Sequence, residues 1–478
     1  MYVYEDKLGI IVTAYIIKKH NKVFNLWGDY VANVLTKKSK LNAVQVLSIG
    51  FAILIFVGGI ILSLPISSVS GEYTNLLDSL FTSTSAVCVT GLITVDTGTH
   101  WNAFGQTVII ILIEIGGLGF MSLTTFVAIL FGKKITLRDR LLMQEAMNTF
   151  NIEGLVRMVQ YVLGLTFLVQ LFGALLLSTQ FIPDLGLKKG ILYSLFHSAS
   201  AFCNAGFDLF GNFNSLVGYS GNSVVILTIS ALIIIGGLGF TVLLEIYNYK
   251  GSKRLSVNSK IVLLITSALL IGGTIVMFAL EFNNPETLGN MNLKNKLLNS
   301  FFAAVTPRTA GFNSISTDGM TMAGKFSTIV LMFIGGSSGS TAGGLKTATF
   351  GIVVFTVISI LKGREETEAF ERRFSKETVY KAFTLFFIGM MLVMIVTMIL
   401  TITEPDQSFI NLLYEATSAF GTVGITTGVT QQLSIIGKIV IMITMYFGRV
   451  GTLTVLLALI NRKKKTGYRY PEGKILIG

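Results

Sequence analysis

Long apolar segments separated by short polar stretches dominate the chain. Each of eight segments is long enough to cross a bilayer, which needs about 20 apolar residues. They cover residues 43–67, 106–131, 155–181, 222–247, 258–282, 326–361, 379–403 and 435–461. This pattern predicts an all-α integral membrane protein with eight transmembrane helices and both termini on the same side of the membrane.

A shorter pattern recurs four times within this framework: an aromatic residue, a glycine ten positions later, and then a bulky apolar residue. The glycines are separated by 115, 105 and 113 residues. The aromatic and glycine pairs are Phe81 and Gly91, Phe196 and Gly206, Phe301 and Gly311, and Tyr414 and Gly424. A repeat at this period predicts four similar units around one central pore.

Each copy contains a stretch rich in Ser, Thr and Ala that is too short to span a membrane. It follows one apolar segment and precedes another, so each unit reads as helix, short pore helix, glycine loop, helix. We expect the short helix to enter the membrane and turn back at the glycine, where the backbone faces protein or water. An ordinary extracellular loop helix is the alternative, and the fourfold spacing argues against it.

Backbone carbonyls of the four glycine loops are the candidate ion ligands. Glycine adopts positive φ freely, so neighbouring peptide planes can turn their oxygens toward an axis, and a carbonyl ring replaces the hydration shell of a monovalent cation. No acidic side chain lies in these strings, which disfavours a calcium filter. The predicted filter residues are Val89, Thr90, Gly91, Leu92, Asn204, Ala205, Gly206, Phe207, Thr309, Ala310, Gly311, Phe312, Thr422, Val423, Gly424 and Ile425.

The second apolar segment of repeat three is interrupted by glycines and serines, which have too little helix propensity to continue a span. We expect a loop inside the membrane that obstructs the path as a gate; a flexible kink is the alternative. Its residues are Gly335, Gly336, Ser337, Ser338, Gly339, Ser340, Thr341, Ala342, Gly343 and Gly344, with Lys346 after them. In repeats one and two, the corresponding IGGLGF strings at 115–120 and 235–240 predict close helix packing.

Three cationic residues, Arg308, Lys346 and Arg449, fall at predicted membrane depth. Arg449 is expected to face the cavity and to bond the loop's carbonyls and hydroxyls, because a mid-membrane arginine is costly without partners. A helix–helix hydrogen bond is the alternative. Arg308 is expected to brace pore-loop carbonyls. Glu114 is a candidate counter-charge for one of the two arginines.

Charge distribution fixes the expected orientation. The chain is 52% hydrophobic and only 13% charged, and 28 of its 37 Lys and Arg fall in the N-terminal segment, in 132–157, 250–260 and 362–381, and after the last span. These segments are therefore predicted to be cytoplasmic, with both termini inside and the protein in the cell membrane. The net charge of +12 is explained by this asymmetry, so no nucleic-acid partner is implied.

The remaining features leave alternatives open. Residues 1–42 carry apolar positions on one helical face, as in a helix lying on the inner membrane surface or docking to a cytoplasmic partner. Cys88 and Cys203 occupy matching positions in repeats one and two; small buried side chains and a metal or redox pair both fit. With three histidines in the chain and no cluster of ligands, metal catalysis is not indicated.

These strings together resemble the Trk/Ktr/HKT superfamily of potassium translocators, and most closely its bacterial KtrB-type subunit, over residues 43 to about 465. The resemblance rests on the four repeats, on TPRTAGFN at 306–313, on the break at 335–344 and on GRVG at 448–451. In that superfamily a filter glycine in all four repeats goes with potassium selectivity, so the resemblance implies potassium. The resemblance also implies a homodimer paired with a cytoplasmic nucleotide-binding ring of the KtrA/TrkA kind. Activation by sodium is left as an open alternative, and no nucleotide is expected to bind to this chain.

The expected organisation is a cytoplasmic N-terminal segment, four pore repeats and a cytoplasmic tail. The boundaries are 1–42, 43–131, 132–249, 250–361, 362–465 and 466–478. A membrane enzyme is disfavoured because buried titratable groups are too sparse for a nucleophile and base. A sodium- or proton-coupled secondary transporter with broken-helix sites remains the alternative, although four parallel repeats argue against it.

Overall fold

The computed structural model describes residues 43–119, 144, 155–249 and 255–451. The predicted N-terminal helix and C-terminal tail, together with residues 120–131 and 452–461 of two predicted spans, lie outside the described residues. The described parts are almost entirely helical. The exception is a short antiparallel hairpin formed by β1 (Glu368–Ala369) and β2 (Arg372–Arg373).

The described residues contain sixteen α-helices. The first two repeats contain α1 Ala43–Ser63, α2 Leu76–Cys88, α3 Thr97–His100, α4 Ala103–Leu118, α5 Leu155–Leu185, α6 Leu187–Phe202, α7 Ser223–Leu238 and α8 Phe240–Tyr247. The last two contain α9 Val257–Glu281, α10 Leu293–Val305, α11 Met322–Phe333, α12 Thr347–Leu361, α13 Lys376–Thr403, α14 Phe409–Gly421, α15 Val429–Gln432 and α16 Ile435–Val450. Short 3₁₀ turns lie at Pro65–Ser67 and Val217–Tyr219.

The first helix of each repeat is long and apolar enough to cross a membrane. These are α1, α5, α9 and α13, the four such helices among the described residues; α7 with α8 makes a fifth if the bent pair counts as one span. Each packs against the short helix that follows it, as α1 does on α2 and α13 on α14. Their outer faces expose large apolar side chains such as Phe56, Phe172 and Ile402, which suits contact with lipid.

The helix that follows the glycine loop in each repeat begins with a polar cap. Side-chain oxygens of Asn102, Asn222, Thr321 and Ser434 accept hydrogen bonds from the first turns of α4, α7, α11 and α16. Such caps satisfy amides that the helix itself cannot pair. They fix the level at which each second helix starts.

The helix of the second span ends before the predicted segment does in repeats one, two and four, which corrects the expectation of continuous helices there. A glycine ends α4, α7 and α16: Gly119, Gly239 and Gly451 have φ of 83°, 92° and 94°. Side chains other than glycine rarely adopt this conformation, so the helix breaks there. After Gly239 the chain continues as α8, bent by 99° from α7. The IGGLGF strings thus do more than permit close packing.

Candidate functional site

The four loops that follow the pore helices share one backbone conformation. In each, positive φ occurs at the glycine and again two residues before it. The values are 57° at Val89 and 98° at Gly91, 59° at Asn204 and 71° at Gly206, 75° at Thr309 and 82° at Gly311, and 50° at Thr422 and 92° at Gly424. A non-glycine residue in this region costs free energy, so its surroundings must hold it there. Matching residues of the four loops thus share the left-handed region of backbone conformation.

Hydroxyl groups inside the pore helices hold three of these loops. Ser85 Oγ accepts a hydrogen bond from the Gly91 amide at 2.9 Å, and Ser418 Oγ accepts from the Gly424 amide at 3.1 Å. Ser200 Oγ donates to the Phe207 carbonyl at 2.8 Å. These serines are not among the predicted site residues. In the sequence they are marked by a Ser-Ala dipeptide that begins six residues before the glycine in repeats one, two and four.

Repeat three uses a different hydroxyl for the same purpose. Thr306 Oγ1 donates to the Phe312 carbonyl, and the Ala310 amide donates to the Thr306 carbonyl at 3.0 Å. Thr306 stands one position closer to its glycine than the serines of the other repeats do. The third loop therefore reaches the common conformation with a longer turn after its helix.

The four glycines meet at one place. A methyl group added at Gly91 would lie 3.2 Å from the Gly206 Cα and 3.3 Å from the Gly424 Cα. One added at Gly206 would lie 2.6 Å from the Gly311 Cα, and one added at Gly311 would lie 2.7 Å from the Val423 carbonyl oxygen. The loops thus follow one another in chain order around a closed ring. No side chain larger than hydrogen fits at these four positions without displacing a neighbouring loop.

The glycine- and serine-rich segment of repeat three is a loop between α11 and α12. Its main chain bonds to other repeats: the Ser337 amide donates to the Gly237 carbonyl at 3.0 Å, and the Phe240 amide donates to the Gly339 carbonyl at 2.9 Å. The Gly344 amide donates to the Gly448 carbonyl at 3.3 Å. The loop therefore contacts α7, α8 and α16, close to where α7 and α16 end.

The same loop lies against the fourth filter loop. A methyl group at Gly343 would lie 2.9 Å from Thr422 Cγ2, and one at Gly344 would lie 3.1 Å from the Gly421 Cα. Thr422 is the first of the predicted filter residues of repeat four. The segment 335–346 is thus directly adjacent to the ring of glycines.

Arg449 bonds three carbonyls that belong to two other repeats. Its Nη1 donates to the Thr341 carbonyl, and its Nη2 donates to the carbonyls of Gly116 and Gly117, the latter at 3.1 Å. No carboxylate pairs with it among the described residues. The guanidinium therefore ties the end of α4 to the loop of repeat three.

Lys346 brings a second cation to the same region. Its Nζ donates to the Ala342 carbonyl at 2.7 Å. Two cationic side chains, Lys346 and Arg449, are thus held by backbone oxygens of the loop. Each raises the local electrostatic potential, which disfavours another cation nearby.

Arg308 is placed differently from the expectation. Its Nη2 donates to Thr347 Oγ1 at 3.1 Å, and longer contacts reach the Gly335 carbonyl at 3.4 Å and Thr266 Oγ1 at 3.5 Å. It therefore braces the start of the intramembrane loop rather than pore-loop carbonyls. The reason is local: the side chain leaves the turn after α10 toward α9 and α12, which flank that loop.

Glu114 pairs with an amide and not with an arginine. Its Oε1 accepts a hydrogen bond from Gln170 Nε2 at 2.7 Å, and no ion pair involves it within the described parts of the chain. The expectation of a counter-charge is therefore wrong for this conformation. Cys88 and Cys203 are buried and unpaired, and no group of potential metal ligands occurs among the described residues. The reading of the cysteines as small buried side chains is confirmed.

Comparison with known proteins decides the family. A family model described as "TrkH: Cation transport protein" matches residues 37–466. The chain belongs to the TrkH family of cation transport proteins. As a member of a transport family it is not an enzyme, and the four-glycine ring lies within the matched part of a TrkH-type chain.

Curated relatives match over nearly their whole length. The Potassium/sodium uptake protein NtpJ of Enterococcus hirae is 45% identical, with 92% of this chain and 98% of the relative aligned. The Ktr system potassium uptake protein B of Bacillus subtilis is 41% identical over 91% and 96% of the two chains. That of Vibrio alginolyticus is 36% identical over 94% and 98%. The predicted resemblance to the Trk and Ktr proteins is confirmed.

A solved structure shows the same fold. The crystal structure of the potassium transporter TrkH from Vibrio parahaemolyticus superimposes with a TM-score of 0.68 at 16% identity. The alignment covers 88% of this chain and 85% of that chain. This TrkH-family member is therefore a helical membrane protein of known architecture.

Proposed function

We propose that this protein takes up potassium across the cell membrane through the axis that its four glycine loops enclose. The mutual contact of Gly91, Gly206, Gly311 and Gly424 carries the proposal, because it brings the four glycine loops together around one axis. The names of its relatives, which denote potassium or potassium/sodium uptake, support the same cargo.

Selectivity follows from the carbonyl ring. The filter strings carry no charged side chain, so a passing cation exchanges its hydration shell for backbone dipoles only. Hydroxyl groups of Ser85 and Ser418 hold the glycine amides on the far side from the axis, which keeps the carbonyls in place. A ring held in this way favours the cation whose coordination distance matches it, and potassium is the proposed match.

The intramembrane loop 335–344 is the proposed gate. It lies against Thr422 and bonds α7, α8 and α16, so it obstructs the path beside the filter. Arg449 and Lys346 add positive charge at the same level. Five of the ten positions are glycines, at 335, 336, 339, 343 and 344, and they give the segment freedom to move aside. Opening requires the bonds from Arg449 to be released.

The proposed assembly is a homodimer of four-repeat subunits with cytoplasmic termini. The repeats are 43–131, 132–249, 250–361 and 362–465. A cytoplasmic nucleotide-binding ring is the proposed regulator, docking on the basic inner segments. Sodium is a proposed activator.

The decisive experiment is complementation together with flux. Expression in a bacterium that lacks potassium uptake should restore growth at low external potassium, with and without a co-expressed regulatory ring. The purified protein in liposomes should carry rubidium and potassium down their gradients without a sodium or proton gradient. Flux that requires such a gradient would instead establish the coupled transporter.

A further inference from the structure

Glu415 is a buried carboxylate inside the fourth pore helix, α14. It is fully excluded from solvent. Its Oε2 accepts a hydrogen bond from Thr426 Oγ1 at 2.8 Å, and its Oε1 accepts one from Thr430 Oγ1. No cationic side chain forms an ion pair with it in the described ranges. Burying a carboxylate against neutral donors alone costs free energy, so we examine which part of the protein these hydrogen bonds hold in place.

Thr426 belongs to the segment that leaves the fourth filter loop, and Thr430 follows it in the chain. Thr426 stands two residues beyond Gly424, and its hydroxyl also accepts a hydrogen bond from the Gly428 amide at 3.0 Å. Thr430 lies in α15, and its neighbour Gln431 donates from Nε2 to the Ile93 carbonyl at 3.4 Å. Glu415 therefore holds the segment that follows the fourth filter loop. Through Gln431, α15 also contacts the segment that follows the first filter loop.

The equivalent position, nine residues before the glycine, differs in the other repeats. Thr82 in repeat one donates to the Asp78 carbonyl of its own helix at 2.9 Å. His197 Nε2 in repeat two accepts a long hydrogen bond from the Leu209 amide at 3.4 Å. Phe302 in repeat three is apolar. Repeat four thus has the strongest such tie, a carboxylate with two hydroxyl donors.

We propose that Glu415 is a positioning residue that sets the potassium preference of the fourth filter loop by holding Thr426. The proposal rests on the potassium uptake proposed above. Thr426 is joined to Gly424 through Ile425 alone, so a displaced Thr426 changes the direction of the last carbonyls of the filter. A change of a few tenths of an ångström in a carbonyl ring alters the fit to a dehydrated ion.

The test compares potassium and sodium fluxes of four variants in liposomes. Glu415→Ala and Thr426→Val should each lower the potassium-to-sodium preference by about fivefold and raise the potassium half-saturation, with the maximal rate largely kept. Glu415→Gln retains an acceptor oxygen and should lose about twofold. Thr82→Val is the matched control, because that hydroxyl bonds only within its own helix, and it should behave as wild type.

Combining Glu415→Ala with Thr426→Val should be no worse than Glu415→Ala alone, because the bond between Thr426 and Glu415 is already absent in that variant. If Glu415→Ala does not fold, Thr426→Val and Thr430→Val replace it in the test, because valine has nearly the same shape as threonine. An unchanged preference in Thr426→Val, or a Glu415→Gln variant as impaired as Glu415→Ala, overturns the positioning role. A wild-type protein without potassium preference refutes the proposed function itself, and this inference with it.

Discussion

Lys438 in the last span forms an ion pair with Asp78 in the first turn of the first pore helix, with 2.7 Å between Nζ and Oδ1. Both side chains are mostly buried, at 18% and 17% exposure. Lys325 occupies the same position in repeat three, fourteen residues after its glycine, and donates to Asn411 in the first turn of the fourth pore helix at 3.3 Å. In both cases the second span of one repeat is joined to the pore helix of the next.

Breaking the pair between Lys438 and Asp78 should destabilise the protein. Asp78→Ala leaves an ammonium group partly buried without its partner, at a cost of about 1–3 kcal/mol. The unfolding temperature in detergent, measured by fluorescence-detected size-exclusion chromatography, should fall by several degrees. The double variant Asp78→Lys with Lys438→Asp should recover part of the loss. Equal stability of Asp78→Ala and wild type would show that the pair contributes nothing.

Serine at position 91 should weaken the potassium preference. Its Cβ would lie 2.6 Å from the Ala205 carbonyl oxygen, at a backbone φ of 98° that side chains disfavour. The potassium-to-sodium flux ratio should fall by about tenfold, more than the yield of folded protein falls. Gly272→Ser is the control, because nothing lies within 4 Å of that glycine's added methyl group. An unchanged flux ratio in Gly91→Ser argues against the carbonyl ring.

Removing the guanidinium of Arg449 should raise basal flux. The side chain holds Thr341 of the loop against α4, so Arg449→Ala frees the loop, and deletion of residues 336–343 removes it. We expect several-fold faster rubidium uptake by liposomes without a regulator. Arg364→Ala, which alters an exposed arginine paired with Glu368, serves as the control. Lower flux in both loop variants at equal protein levels would make the loop part of the conducting route.

Potassium affinity should depend on external pH through Asp208, which lies outside the spanning helices two residues beyond Gly206. Burial raises the pKa of this carboxyl to about 7, and the nearby Asp96 carboxylate adds to the shift. The group is neutral below that pH and negative above it. The potassium concentration that gives half-maximal flux should therefore fall about twofold to threefold between roughly pH 6 and pH 8, because the negative charge of Asp208 beside the filter loop concentrates cations there.

Two variants separate Asp208 from other causes of that dependence. Asp208→Asn is neutral throughout and should keep the weaker, acid-side half-saturation at every pH. Glu72→Gln changes an exposed carboxylate away from the loops and should retain the wild-type response. A full pH response in Asp208→Asn would assign the effect to another group.

The sequence identifies the parts of this site that depend on backbone conformation. Gly91 and its three equivalents are recognisable from their spacing, because the neighbouring loops leave no room for a side chain at these positions. The loop at 335–344 was found because ten residues of glycine, serine, threonine and alanine cannot sustain a helix. Both signals are local and appear as residue types at fixed positions.

Features that depend on tertiary contacts were not found. The break at Gly239 lies in an apolar string that reads as a continuous span, and it is set by the loop of repeat three, whose Gly339 carbonyl accepts from Phe240. The partners of Arg308 and Glu114 lie on helices distant in the chain, so their pairing could not be read from either residue. Glu415 was overlooked because a single acid in a pore helix gives no periodic signal.

The contact between Gly91 and Gly424 has a consequence for biosynthesis. The first loop of the ring emerges from the ribosome long before the last one, and it has no closed site to join until residue 424 and its pore helix have been inserted. Nascent chains that stop after repeat three therefore contain three of the four glycine loops. In these chains α2 also lacks α16, against which it packs in the complete protein. In the proposed function, the ring of four glycine loops therefore closes only when repeat four has been inserted.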